Sequence, residues 1–200
     1  MKSPEVFLSH LEPIQEVCAA YARRMLRVPD SLEDVLQSTL RTAYAKFNLY
    51  AEGTNFRAWF FRILTLEIFN ANRKFERVRH MEISLDALNE LDAMDGNLAA
   101  TLDRETDCDR LLENLDRVFE HLSAPLAAAL HTLPPMERGV LLQRAIGGFQ
   151  YKEVAAIMEI PVGSVLGYLS RARARLRFAL AGYASRQGLL GRHEGRGRTP

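Results

Sequence analysis

Residues 151–177 read YKEVAAIMEIPVGSVLGYLSRARARLR, and this stretch decides the fold. Tyr151 to Arg171 is laid out as a short helix, a tight turn and a second helix. Small Ala155 allows close helix approach, and Val154, Met158, Ile160 and Val165 supply apolar pins between the helices. At about 100° per residue, Val165, Leu169, Ala172, Leu176 and Leu180 fall within roughly 60° of one another and must face a core. Ser164, Gly167, Tyr168, Arg171 and Arg175 then share an outward sector, flanked by Arg173 and Arg177. Small and polar groups on the first turns, followed by an Arg at every second position, suit a major groove with phosphates on either side. The planar Arg fork donates two hydrogen bonds at once to a phosphate. A solvated structural helix can look the same, but it interleaves Glu with Arg for i,i+4 pairing. No acid occurs between Ile160 and His193.

Working outward, a helix is expected from about Pro135 to Ile146, with a break at Gly147-Gly148. A short helix follows over Gln150–Met158, then a turn over Glu159–Gly163 and a long helix over about Ser164–Ala184. Upstream, Met81 to Leu122 holds twelve acids and three bases. It reads as an acidic linker with at most short helical pieces, helical spacing resuming at Leu111, Leu115, Val118, Phe119 and Leu122. Downstream, the Gly- and Arg-rich end from about residue 187 is expected to be disordered.

The N-terminal third is also helical. Ile14, Val17, Cys18, Tyr21, Ala22, Met25 and Leu26 form one stripe, which Pro29 stops. Asp30 or Ser31 can cap the next helix. That helix buries Val35, Leu36, Leu40, Ala43, Tyr44 and Phe47 and turns Glu33, Asp34, Gln37 and Arg41 outward. A loop over Asn48–Asn55 turns at Gly53. A third helix runs from Phe56 to about Arg77, giving three or four helices in all. It combines Trp59, Phe60 and Phe61 with Arg57, Arg62, Arg73, Lys74 and Arg77. Rings beside cations are what unstacked single-stranded DNA needs, although aromatics at helical spacing more often pack a core, the main role expected for Trp59.

The 200 residues carry 26 Lys and Arg against 25 Asp and Glu, so the near-neutral total hides an acidic middle and a basic end. That asymmetry suggests one part that meets a polyanion and another kept off it. No apolar run approaches the roughly eighteen residues a membrane span needs, so no membrane insertion is expected. Cys18 and Cys108 form no CxxC pair, and the chain reads as a reduced-compartment, cytoplasmic protein. There is no GxxxxGK loop and no HExxH, and the five His form no ligand cluster, so neither enzyme, metal nor cofactor is expected.

EDVLQSTLRTAYAKF, NFRAWFFRI and LPPMERGVLLQRAIGGFQYKEVAAIMEIPVGSVLGYLSRARARLR, in that order around an acidic linker, resemble regions two and four of a sigma-70-type RNA polymerase sigma factor. The match is to the short extracytoplasmic-function (ECF) group. The resemblance implies an all-α fold of two small helical domains: region two over 1–80, a linker over 81–123, and a helix-turn-helix region four over 124–186. It implies a transcription initiation factor whose partners are core RNA polymerase, promoter DNA and an anti-sigma protein. Glu33, Asp34, Gln37 and Arg41, solvated charges on their own, would dock on the polymerase clamp. Asn55, Arg57, Trp59, Arg62, Asn70, Arg73, Lys74 and Arg77 would meet the −10 element. Tyr151, Lys152, Ser164, Gly167, Tyr168, Arg171, Arg173 and Arg175 would meet the −35 element. The linker would thread the polymerase's channels.

The chain departs from the family pattern in places. Glu159 stands where the family usually has a turn Gly, so a left-handed residue there costs about 1 kcal/mol or more. Gly167 weakens its helix by roughly 1 kcal/mol, and Leu166 and Tyr168 replace expected cations. Those lost cations motivate an alternative, a sigma-like decoy that binds an anti-sigma protein without reading DNA. An ordinary helix-turn-helix repressor is a third reading, against which the N-terminal half argues.

Overall fold

A computed structural model describes residues 3–83 and 123–186. All the regular elements among them are helical. Except at its margins, the expected acidic linker lies outside the described residues. So do the Leu111–Leu122 spacing and the Arg-rich end.

The first unit holds four α-helices. Helix α1, Pro4–Leu11, was not anticipated. Pro4 occupies its first turn, where a missing N–H costs nothing, and the Ser3 hydroxyl accepts the Val6 N–H at 3.4 Å. Its buried Phe7 meets Tyr44, Phe47 and Phe56 edge-on at 5.5, 5.1 and 6.0 Å. A 3-10 turn over Glu12–Ile14 leads into α2, Gln15–Met25. The expected stripe is buried there, with Val17 half-buried at its edge. Burial pushes the Cys18 thiol up to about 12, against a small opposing pull from Arg57, so the thiol stays protonated.

Helix α3, Leu32–Lys46, follows a 3-10 turn over Pro29–Ser31. Ser31 does not cap it by its side chain; its hydroxyl donates back to the Val28 carbonyl at 2.7 Å. The buried strip of α3 is narrow, with Val35, Thr39 and Ala43 spaced four apart. Thr39 satisfies its hydroxyl on the Val35 carbonyl at 2.8 Å. Tyr44, one residue further round, is 44% exposed rather than interior. Gly53, at φ +81°, turns the following loop as expected. Helix α4, Phe56–Ile83, runs past the expected end at Arg77 and the expected boundary at 80.

The second unit is α5, Ser123–His131, α6, Pro135–Ala145, α7, Tyr151–Met158, and α8, Val162–Arg186. Gly147 and Gly148 end α6 for steric reasons. A Cβ on Gly147 would sit 2.5 Å from the Gln143 carbonyl oxygen and 2.6 Å from the Phe149 ring, and Gly148 holds φ +61°. A capping box starts α7, the Glu153 carboxylate accepting the Gln150 N–H at 2.7 Å. Glu159 ends it at φ 55°, ψ 45°, the left-handed conformation anticipated for that turn. The two helices are bent by 98°, and Val165, Leu169, Ala172 and Leu176 are buried as the spacing requires.

The two units are not separate beads. Their cores merge along α2 and α4 on one side and α6 and α7 on the other. Phe61 meets Phe149 edge-on at 4.8 Å. Fully buried Gln143 reaches Thr65 Oγ1 at 3.2 Å, Tyr21 Oη at 3.4 Å and Met158 Sδ at 3.1 Å. Fully buried Arg138 donates to the Met25 carbonyl at 3.0 Å, at the end of α2, and to His131 Nδ1 at 2.8 Å. Burial, with Arg27 nearby, lowers Arg138 to about 10, which leaves it charged at neutral pH.

Candidate nucleic-acid interface

The outward residues of α3 lie as the periodicity predicts: Glu33, Asp34, Gln37 and Arg41 are all exposed. Between α3 and α4 is an open cleft of about 440 Å³ floored by Val28, Val35, Ala71 and Phe75. Asp34 lines it together with Asn70 and Lys74, so residues assigned to two different partners meet at one depression. Exposed Arg73 and Arg77 continue the basic surface along α4.

The N-terminal turns of α4 are different. Asn55 caps the helix, its Oδ1 accepting the Ala58 N–H at 3.0 Å, while its Nδ2 donates to Glu153 at 2.6 Å. Half-buried Arg57 donates to the Gly147 carbonyl, with its guanidinium 4.9 Å from the Phe149 ring centroid. Arg62 pairs with Glu159. Three residues expected at the −10 element are thus held by the other unit, because the Glu153 and Glu159 carboxylates and the Gly147 carbonyl present acceptors to this end of α4. Trp59 packs half-buried against Tyr50 and Phe56 at 5.4 and 5.5 Å.

The outer face of α8 remains open. Leu166 and Arg171 are exposed, Ser164 and Gly167 half-exposed, and Lys152 on α7 is exposed. Tyr168 lies with its inner edge on the core and its ring beneath the Arg171 guanidinium at 4.8 Å. Arg173 is half-buried on the flank. Tyr151 is half-buried, with its ring under the Arg144 guanidinium at 4.6 Å and one side against the core. Arg171 and Arg175 each place Nε 3.2 Å from one oxygen of Glu137, a carboxylate only 5% exposed.

Sequence periodicity missed Glu137, Arg138 and Gln143. Charged or amide residues inside the apolar run of α6 were the available signal, since such groups are buried only when partnered.

Comparison with known proteins places these units. The family described as Sigma-70 region 2 matches residues 13–78, and that described as Sigma-70, region 4 matches residues 123–176. An ECF RNA polymerase sigma factor EcfG of Rhodopseudomonas palustris is 32% identical over 78% of this chain and 75% of its own length. The RNA polymerase sigma factor CnrH of Cupriavidus metallidurans is 30% identical over 80% of this chain and 79% of its own. The sigma factor RpoE of Bartonella quintana, solved in complex with the anti-sigma factor NepR, superposes with a TM-score of 0.64 at 27% identity, covering 88% of this chain and 98% of that one. With both regions matched in order on one all-helical frame, this chain belongs to the ECF group of the sigma-70 family of RNA polymerase sigma factors.

Proposed function

We propose that the chain directs core RNA polymerase to promoters through three separate surfaces. The α3 face of Glu33, Asp34, Gln37 and Arg41 docks on polymerase. The basic surface of α4, with Asn55, Arg57 and Arg62 once released, tracks the −10 element. The open face of α8, with Lys152, Ser164, Gly167, Arg171, Arg173 and Arg175, reads the −35 duplex. The observation that supports this most is the outward α8 face, where the Arg171 and Arg175 side chains stay 50% and 41% exposed.

The closed packing of the two units supports a second element of the reading. Arg57 is half-buried, with one Nη on the Gly147 carbonyl and its guanidinium against Phe149, so full engagement at −10 goes with parting of the units. This arrangement is one that an anti-sigma partner could hold, and the similar Bartonella sigma factor was solved in complex with such a protein. No covalent chemistry is needed, because stacking of flipped bases supplies roughly 1–3 kcal/mol each toward melting. No single helix among the described residues is long and apolar enough to cross a membrane, and we place the work in the cytoplasm, where polymerase is.

Run-off transcription with core polymerase over a pool of genomic fragments tests the reading. Promoter-specific starts are expected, reduced by Asp34→Ala through weaker polymerase docking and by Arg171→Ala through weaker duplex binding. Tight binding to an anti-sigma protein with no starts would favour the decoy instead.

A further inference from the structure

Glu137 is a carboxylate buried to 4% exposure in the first turn of α6, an uncommon place for an acid in a unit that meets DNA. The positive end of α6 favours a negative charge there. Its two oxygens face two arginines one turn apart on α8. Oε1 accepts Arg171 Nε at 3.2 Å, and Oε2 lies 3.2 Å from Arg175 Nε as an ion pair without hydrogen-bond alignment. Left alone, like charges four residues apart on a helix repel and splay.

Arg171 is held on two further sides. Its guanidinium lies 4.8 Å from the Tyr168 ring centroid. Its Nη1 lies 3.4 Å from where a Cβ of residue 167 would stand, an ordinary contact distance, so the group rests over Gly167 and a longer side chain there would meet it. Contact through Nε leaves the end edge between Nη1 and Nη2 outside that pairing, and the Arg171 and Arg175 side chains remain 50% and 41% exposed. A guanidinium fixed by its inner edge presents its outer edge as a two-donor fork, the geometry that matches O6 and N7 of a guanine or two oxygens of one phosphate.

We infer that Glu137 is a positioning residue for promoter discrimination: with Tyr168 and Gly167 it orders Arg171 and Arg175 so that they distinguish one duplex sequence from another. The inference rests on the reading of α8 as the duplex-facing helix. Unpositioned arginines would still neutralise phosphates, so the carboxylate acts on selectivity rather than on attraction. Its negative charge even opposes attraction, which makes its removal diagnostic.

The test uses the full chain with core polymerase and a duplex pool randomised over the −35 segment, with the bound fraction sequenced. For Glu137→Gln, which keeps the side-chain volume, enrichment of the preferred sequence over scrambled duplex should fall about tenfold or more, the scale of one lost bidentate contact. Retention of scrambled duplex should be unchanged or higher, and its salt dependence no shallower. Gly167→Gln, which fills the resting space of Arg171 and leaves the carboxylate in place, should lose selectivity in the same way; it decides the matter if Glu137→Gln unfolds. Wild-type enrichment in both variants, or equal loss on preferred and scrambled duplex, would overturn the positioning role. If Arg171→Ala changes neither, the duplex-facing reading of α8 itself fails, whatever Glu137→Gln does.

Discussion

Replacing Phe149 by Leu should loosen the junction between the two units while sparing every residue proposed to touch DNA or polymerase. Phe149 is 2% exposed, with Phe61 edge-on at 4.8 Å and the Arg57 guanidinium at 4.9 Å. An aromatic pair contributes about 0.5–1.5 kcal/mol beyond its area, and a cation over a ring from about 0.5 to 2 kcal/mol depending on desolvation. Leu keeps most of the apolar volume, so the loss at the junction is about 1–3 kcal/mol. At about 1.4 kcal/mol per factor of ten, the ratio of parted to closed molecules should rise roughly five- to 150-fold. Spin labels at exposed positions 12 and 156, placed as Glu12→Cys and Ala156→Cys in a Cys108→Ser background, report that ratio through their distance distribution. A double-mutant cycle with Arg57→Ala isolates the cation–ring part, expected at about 1 kcal/mol of coupling. A distance distribution unchanged by Phe149→Leu, or strict additivity with Arg57→Ala, would refute the reasoning.

Two other perturbations act at single atoms. Gly147→Ala places a Cβ 2.5 Å from the Gln143 carbonyl oxygen and should destabilise the second unit by about 1–3 kcal/mol, read as a lower midpoint in urea unfolding. His131 accepts from Arg138 at Nδ1, and burial, then Arg138 and Arg27, hold its pKa below the ordinary value of 6.5. Because the folded-state pKa lies below the unfolded one, the contribution of neutral His131 is complete above pH 6.5 and is lost as pH falls beneath it; urea midpoints should drop over that range, and His131→Asn should flatten the slope.

Much of this architecture was readable from spacing. The Ile14–Leu26 stripe apart from half-buried Val17, and the Val165–Leu176 stripe, are buried, because a helix packed on one side repeats its apolar residues every three or four positions. Helix α1 escaped because Glu5, His10 and Glu12 interrupt the apolar pattern; the Ser3-Pro4-Glu5 start was the cue, being a cap, a first-turn proline and a first-turn acid. Tyr44 and Thr39 traded places for want of a few tens of degrees in the buried sector of α3. The proposed binding residues were legible as outward-facing charges, yet their engagement was not. Arg57 and Gly147 lie 90 residues apart, Arg62 and Glu159 97 apart, and no local period reports a contact across such a gap. Glu137 stood out only as a charge inside the apolar run of α6, and its partner Arg171 lies 34 residues away, beyond any local period.

The seam where Gln143 touches Tyr21 and Thr65 has a mechanical meaning. An amide and two hydroxyls that bond to each other across a joint can each bond to water when it opens, so parting does not strand them. A joint lined by leucine alone would leave greasy halves that clump before they could be rejoined. Hydratable groups at its centre make this one suited to repeated separation and return.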